Sequence, residues 1–159
     1  MKKITQIRLV LGAFIVLLLL SGITAFPLKT EIDFLVKHLY WFSPSLQSWI
    51  LFLKEEIYNT PDVMLYGTDW LAFAHIIISL FFIPVLINPV KYQANLMVGM
   101  IACLAVFPLA FICGPIRGIP FFHQLIDCGF GVGGIILLGY ILIKVKRLEK
   151  IEIKNMVTA

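Results

Sequence analysis

Hydrophobic residues are concentrated in four long runs along this chain. The runs cover residues 9–26, 69–87, 94–113 and 121–143. An α-helix needs about 20 mostly apolar residues to cross the hydrocarbon core of a bilayer, and each run is close to that length. The pattern therefore predicts four transmembrane helices.

The composition supports this interpretation. The chain has 159 residues, of which 60% are hydrophobic and 14% charged, and its mean hydropathy is +0.97. Soluble domains are about 45–50% apolar and about 25% charged. A chain this poor in polar residues cannot cover a water-soluble fold, which excludes a disordered chain, a disulfide-stapled secreted module and an ordinary cytosolic enzyme. We predict an all-α integral membrane protein, built as a single membrane domain with a four-helix transmembrane bundle.

The first run has a competing interpretation as a signal peptide. A short basic segment precedes it, and small residues lie near its end, at Gly22 and Ala25. The hydrophobic part of a signal peptide is usually only about 7–15 residues long. The run at residues 9–26 is longer, which favours a retained first span over a cleaved signal peptide.

The two helical stretches predicted within residues 27–68 are too short to span a membrane, which needs about 20 apolar residues. Thr30 is predicted to cap a helix that ends at Trp41, and Ser43 with Pro44 to open a second one. The aromatic side chains of this segment are typical of the headgroup zone of a bilayer. We predict one or two amphipathic helices on the extracytoplasmic membrane surface.

The second run has its own start signals. The segment Thr60-Pro61-Asp62 is predicted to begin a short turn of helix that Gly67 stops, so that Thr68 caps the second span. At the start of that span, Asp69 would complement the helix dipole and Trp70 would mark the membrane interface. Pro84 predicts a kink in the second span.

Basic residues indicate the orientation. If both termini are cytoplasmic, nine of the 13 Lys and Arg residues lie on that side, which agrees with the usual inward bias of positive charge. Residues 144–159 then form a cytoplasmic tail, and the protein is placed in the plasma (inner) membrane as a multi-pass protein. The nine residues are Lys2, Lys3, Arg8, Lys91, Lys144, Lys146, Arg147, Lys150 and Lys154.

The net charge of +4 does not indicate nucleic-acid binding. Such binding needs a clustered basic face, whereas these basic residues lie at the ends of hydrophobic runs. The predicted partners are membrane lipid and either another membrane protein or a second copy of this chain.

Four residues are candidates for function because of where they lie. An ionisable group at membrane depth costs at least about 2.5 kcal/mol, and three of them, His75, His123 and Asp127, lie inside predicted spans. His75 and Asp127 are each roughly 9 Å inward from the outer ends of their helices, at about 1.5 Å per residue. Arg117 lies in the short loop before the fourth span. We predict that these residues form a polar pocket at the extracytoplasmic end of the bundle.

The chemistry of this pocket stays open at the level of sequence. A buried structural network is one interpretation. A binding pocket, in which Arg117 holds a phosphate or carboxylate, is a second. A carboxylate–imidazole pair that handles protons is the third. The sequence accordingly favours an accessory, sensory or ligand-binding membrane protein, with a membrane-embedded enzyme or a redox or ion-coupling protein as the alternative and no catalytic residue assigned.

Small residues predict where helices approach closely. Gly131 and Gly134 lie on the face of the fourth span that carries Asp127, and Gly129 with Gly133 forms a small-xxx-small ridge. The third span carries a narrow stripe of mostly small residues along one face. This stripe consists of Gly99, Cys103, Val106, Ala110 and Cys113.

No cofactor is predicted from the sequence. The cysteines have no CxxC spacing, so no metal site is predicted, and the disulfide-generating quinone reductases are excluded as relatives. A haem between His75 and His123 is disfavoured by a depth offset of roughly 6 Å. A disulfide between Cys113 and Cys128 is disfavoured by a gap of about 10 Å along the helix axes, so both are predicted to be small buried hydrophobes.

Overall fold

The computed structural model describes residues 2–157 and is 89% helix, with no strand in that range. A 3-10 turn at Leu39–Trp41 separates the second and third α-helices, and a π-helical segment at Leu109–Cys113 separates the sixth and seventh. The α-helices are α1 (Lys2–Ala25), α2 (Leu28–Lys37), α3 (Pro44–Asn59), α4 (Asp62–Phe81), α5 (Ile83–Ile87), α6 (Gln93–Pro108), α7 (Gly114–Ile116) and α8 (Phe121–Val157).

Four stretches of the described chain are long and apolar enough to cross a membrane. They are Ile4–Ala25, Asp62–Ile87, Gln93–Ile116 and Phe121–Met156. These stretches cover the four predicted runs to within one residue, so the prediction of an all-helical protein with four candidate spans is confirmed. The cytoplasmic location of the termini and the surface location of residues 27–68 stay predictions.

The helices form two compact units. One unit comprises residues 16–79. The other comprises the described residues up to Ile15 together with those from Leu80 onward. Helices α1 and α4 contribute to both units because the unit boundaries fall within them. The prediction of a single membrane domain stays a prediction.

The short helices of the 16–79 unit begin partly where the sequence predicted. Helix α2 begins at Leu28, because the carbonyl of Pro27 already accepts the first helical hydrogen bond, from the amide of Glu31. The prediction that Thr30 caps this helix is therefore wrong. Helix α3 begins at Pro44 as predicted, since the first turn does not need the missing N–H, although Ser43 makes no capping hydrogen bond.

Helix α4 continues through the point where the sequence predicted a stop. Gly67 lies inside it, and the Thr68 hydroxyl donates to the carbonyl of Leu65 at 2.6 Å, so this side chain is satisfied within the helix instead of capping one. A single glycine costs a helix only about 1 kcal/mol relative to alanine, too little to end a long apolar helix. Because α4 begins at Asp62, Asp69 lies two turns inside it, and the predicted role of Asp69 at a helix start is wrong.

The break between α4 and α5 occurs at Phe82, two residues before Pro84. The amide of Val85 donates to the carbonyl of Phe82 at 3.1 Å, and the carbonyl of Phe81 instead accepts from the Asn95 side chain at 2.7 Å. At the end of α5, Arg8 donates to the carbonyl of Leu86 at 2.8 Å. Backbone groups freed at a helix break must be satisfied inside the protein when no water is available. The kink predicted at Pro84 is thus present, with side chains from other helices completing its hydrogen bonds.

Helices α6 and α8 pack closely through two glycines. A Cβ added at Gly131 would lie 2.8 Å from the carbonyl oxygen of Cys103, and one at Gly134 would clash with the Cys103 side chain. By contrast, a Cβ at Gly129 or Gly133 would meet nothing within 4 Å. The predicted close approach at Gly131 and Gly134 is confirmed, whereas the predicted ridge at Gly129 and Gly133 packs against no other helix of the described chain.

A matching close approach occurs in the 16–79 unit, between α1 and α4. A Cβ added at Gly22 would lie 2.7 Å from the carbonyl oxygen of Ala72 and 3.1 Å from the Cβ of His75. Ala72 is fully buried. Lipid tails are as apolar as leucine, so membrane helices associate by close packing of small residues. Gly22 performs this function here.

We expect Gly131→Ala to destabilise the protein and Gly129→Ala to leave it unchanged or slightly more stable. The first adds a methyl group against the backbone of α6, and overpacking of this kind costs about 1–3 kcal/mol. The second adds a methyl group in open space and removes a helix-destabilising glycine. Thermal unfolding of both variants in detergent measures the difference. Equal losses in the two variants would contradict this packing.

Candidate functional site

The connection from α6 to α8 departs from regular helix geometry. Pro108 ends α6, the five residues Leu109–Cys113 form a π-helical segment, and the single turn α7 follows. Gly118 then adopts a positive φ of 69°, a conformation that glycine reaches without steric cost. Short π-helical segments occur frequently at functional sites. This connection is the most irregular part of the unit that contains α6 and α8.

A buried glutamine holds the connection in place. The side chain of Gln124 donates to the carbonyl of Ile119 at 2.7 Å, and the residue is only 4% exposed. A Cβ at Gly114 would lie 2.8 Å from Gln124 Cδ, so glycine leaves the room that this amide needs. The amide of Ile119 donates to the carbonyl of Gly114 at 2.9 Å. Gln124 was not predicted from the sequence, because an uncharged amide in a hydrophobic run gives no charge signal.

A cavity of about 260 Å³ lies beside this connection. Most of its wall is apolar and comes from the third candidate span, while two charged residues of opposite sign, Arg117 and Asp127, complete it. We name it the α6–α8 cavity. Its other lining residues are Val106, Leu109, Ala110, Cys113, Gly114 and Ile119.

His123 lies next to the charged part of this cavity. Its Nε2 atom is 3.8 Å from Oδ1 of Asp127, one helical turn further along α8. Both side chains are partly exposed, at 32% and 46%. The distance is that of an ion pair when the imidazole is protonated, and it is too long for a hydrogen bond. The structure therefore brings together three of the four predicted residues: Arg117 and Asp127 on one cavity wall, and His123 beside Asp127.

His75 belongs to the 16–79 unit and is half-buried there. Its Nδ1 atom is 2.8 Å from the carbonyl oxygen of Leu71. A carbonyl only accepts hydrogen bonds, so Nδ1 carries a proton in this contact. Ala72 and Ser79, each about one helical turn from His75, are both fully buried. Its membership of a common pocket with Asp127 stays a prediction.

The cysteines do not pair with one another. Cys103, Cys113 and Cys128 are all free thiols, in agreement with the prediction that Cys113 and Cys128 form no disulfide. Cys128 is buried as predicted, but Cys113 is exposed, because it lies at the open end of the π-helical segment. Within the described part of the chain, no three His, Cys, Asp or Glu side chains are placed to hold a metal ion.

An ionic cluster between α2 and α3 was not predicted from the sequence. Lys54 Nζ lies 2.8 Å from Asp33 Oδ1, and the Tyr58 hydroxyl donates to Asp33 Oδ2 at 2.7 Å. Lys29 and Lys54 both lie over the ring of Tyr58. Residues separated by up to 25 positions thus share one carboxylate, which ties the two short helices together. Only the packing of α2 against α3 brings these groups within reach of one another.

These contacts shift the pKa values of the cluster. The hydrogen bonds from Lys54 and Tyr58 hold the pKa of Asp33 below its usual value, and the hydrogen bond to Asp33 raises the pKa of Lys54 and of Tyr58. All three shifts favour the same arrangement, a carboxylate beside an ammonium and a neutral phenol.

Comparison with known proteins assigns no function to this chain. No family model, no curated protein and no solved structure matches it. The function of the α6–α8 cavity therefore rests on the chemistry of its own residues.

We expect the packing of α2 against α3 to be most stable near neutral pH and to weaken at acidic and at strongly alkaline pH. The lowered pKa of Asp33 gives stability that is fully present above the usual value of 3.8 and is lost as the pH falls through the lowered pKa. The raised pKa values of Lys54 and Tyr58 give stability that is fully present below 10.5 and 10.0 and is lost as the pH rises through the raised values. Hydrogen exchange of the α2 and α3 amides across this pH range measures both limits.

Asp33→Asn should weaken the pH dependence of this stability at both the acidic and the alkaline limit, because the amide has no negative charge to pair with Lys54 or to accept a charge-assisted hydrogen bond from Tyr58. The loss at neutral pH should be small, as is usual for exposed ion pairs. Glu55→Gln is the matched control, since Glu55 is an exposed acid of α3. The same pH profile in wild type and Asp33→Asn would contradict the role of this cluster.

Proposed function

We propose that this chain is a multi-pass membrane protein that binds an amphipathic ligand in the α6–α8 cavity and acts as an accessory or sensory protein. One observation carries the proposal: Arg117 and Asp127 line a single, mostly apolar cavity of about 260 Å³. Concave apolar sites with a few convergent polar groups are typical of small-molecule binding.

Arg117, the cationic residue of this cavity, suits a ligand with an acidic headgroup. The guanidinium of Arg117 offers paired donors that match a phosphate or carboxylate in a bidentate arrangement. Arg117 follows α7 directly, at the end of the third candidate span. A headgroup bound there would leave its chain free to follow the apolar side of the cavity. Leu109, which is 62% exposed, extends this apolar wall outward.

The carboxylate makes the site selective for a ligand of mixed charge. Asp127 repels a purely anionic headgroup and accepts hydrogen bonds from an amine or hydroxyl. A ligand with a phosphate and a neighbouring ammonium group satisfies both charges at once, so neither remains uncompensated in an apolar cavity. Phosphatidylethanolamine has this combination and is the probe that we choose.

Native mass spectrometry of the detergent-purified protein tests the proposal. We expect wild type to retain phosphatidylethanolamine, and Arg117→Ala and Asp127→Asn each to bind it roughly ten- to a hundredfold more weakly, as expected when one charge-assisted contact of about 1.5–3 kcal/mol is lost. Arg147→Ala is the matched control, because Arg147 lies on the same helix as Asp127 and lines a different cavity. Equal binding by wild type and both site variants would refute the proposal.

His75→Gln tests the predicted membership of His75. If this imidazole contributes to the α6–α8 cavity, its substitution should weaken lipid binding by a factor between those of Arg147→Ala and Asp127→Asn. Binding equal to that of wild type would exclude His75 from the site and leave the proposal on Arg117 and Asp127 alone. Thermal unfolding of each variant separates lost binding from lost folding.

The second candidate function is proton handling by an enzyme or an ion-coupling protein. The separation of 3.8 Å between His123 and Asp127 favours it, because an imidazole and a carboxylate side by side are the usual groups of acid–base chemistry. A visible absorption band or a proton uptake that wild type shows and that His123→Gln and Asp127→Asn both lose would support this function. Colourless variants that differ from wild type only in bound lipid would favour the first proposal.

A further inference from the structure

A second cavity of about 260 Å³ lies within the 16–79 unit and is lined almost entirely by aromatic rings. Four of its five lining residues are aromatic, and the fifth is an acid. The cavity shares no residue with the α6–α8 cavity, so a ligand site here is independent of the proposed function. The lining residues are Phe26, Tyr66, Asp69, Trp70 and Phe73, and we name them the aromatic cage.

The neighbouring rings of the cage lie nearly at right angles to one another. The centroids of Tyr66 and Trp70 are 6.0 Å apart, with an interplanar angle of 79°. Those of Trp70 and Phe73 are 6.2 Å apart, with an angle of 90°. These three residues follow one face of α4, at the spacing of successive helical turns. The ring planes of these three residues therefore face different directions, which is the arrangement needed to contact a compact group on more than one side.

The fourth ring comes from the turn after α1 and is held there by an ion pair. Phe26 precedes Pro27 in this turn, and Lys29 at the start of α2 contacts the carboxylate of Asp62 at 2.7 Å. Asp62 is the first residue of α4, one turn before Tyr66. The ion pair thus joins the chain that carries Phe26 to the helix that carries the other rings.

Asp69 has no structural role that explains its position. It lies two turns inside α4, too far from the helix start to interact with the dipole, which acts within the first turn. In the 16–79 unit the ion pairs formed by lysines use Asp33 and Asp62, and none uses Asp69. Asp69 is half-buried and lines the aromatic cavity. The Asp69 carboxylate beside these aromatic rings would attract a cation.

We propose that the aromatic cage binds the headgroup of an organic cation, with a quaternary ammonium group as the preferred ligand. Each ring presents the negative face of its quadrupole to a cation, and tryptophan does so most strongly. A quaternary ammonium has no N–H group, so it loses no hydrogen bond on entering a site that offers rings in place of acceptors. Asp69 then supplies the opposite charge at the edge of the cage.

The size of the cavity fits such a group. A volume of about 260 Å³ is many times the roughly 10–15 Å³ that a single water needs, which leaves room for the trimethylammonium end of choline. Lys29 does not occupy the cage, since its ammonium is held by Asp62 and lies over the ring of Tyr58, at 5.7 Å from the centroid.

Calorimetric titration of the full chain in a maltoside detergent tests this site. The ligands are choline and its neutral isostere 3,3-dimethylbutan-1-ol, which has the same shape and no charge. We expect choline to bind at least about tenfold more tightly than the isostere, because a desolvated cation–π contact adds to the attraction of Asp69. Equal binding of the two ligands would show that the positive charge contributes nothing to binding and would overturn the proposal.

Variants identify the residues responsible. Asp69→Asn and Trp70→Leu should each weaken choline binding by about tenfold and leave binding of the isostere nearly unchanged. Trp41→Leu is the matched control, because Trp41 is an exposed tryptophan outside the cage. If Trp70→Leu fails to fold, Trp70→Phe retains a ring of weaker quadrupole and should bind choline with intermediate affinity. An equal loss in Trp41→Leu and Trp70→Leu would overturn the proposal.

Discussion

The close approach of helix backbones at small residues is the constraint on which both compact units depend. Helices in lipid gain little from burying apolar side chains against each other, so contacts at short range have to hold them together. Gly22 provides this contact between α1 and α4, and Gly131 with Gly134 provides it between α6 and α8. In each case the missing side chain faces a backbone or side-chain atom of the other helix. These contacts set which faces of α1, α4, α6 and α8 are turned toward each other within each pair.

The second constraint is the satisfaction of backbone groups wherever a helix is interrupted. At the break before Pro84, Asn95 donates to the carbonyl of Phe81, and at the end of α5, Arg8 donates to the carbonyl of Leu86. At the connection before α8, the buried Gln124 donates to Ile119. An unsatisfied group in an apolar environment costs several kcal/mol, which explains why these polar side chains lie at the interruptions and not along the regular parts of the helices.

The two cavities differ in the ligands they suit because their charges differ. The α6–α8 cavity combines a guanidinium and a carboxylate on an apolar wall, which suits a headgroup of mixed charge. The aromatic cage has one carboxylate and four rings, which suits a cation without hydrogen-bond donors. Both cavities lie beside an irregular segment, the π-helical segment in one unit and the turn at Phe26 in the other. Regular packed helices leave little space between them, and these two irregular segments leave more.

Sequence alone was sufficient to predict the four candidate spans, the start of α3 at Pro44 and the break near Pro84, because hydropathy and proline act locally along the chain. It also placed Arg117, His123 and Asp127 together, since helical spacing and a short loop determine their separation. It could not distinguish Gly131 from Gly129, because the two glycines have the same local propensity and differ only in which one faces α6. The continuation of α4 through Gly67 and the closing of the aromatic cage by Phe26 likewise depended on neighbouring helices. Local preference sets the elements, whereas the close contacts between elements decide which of their faces meet and where cavities remain.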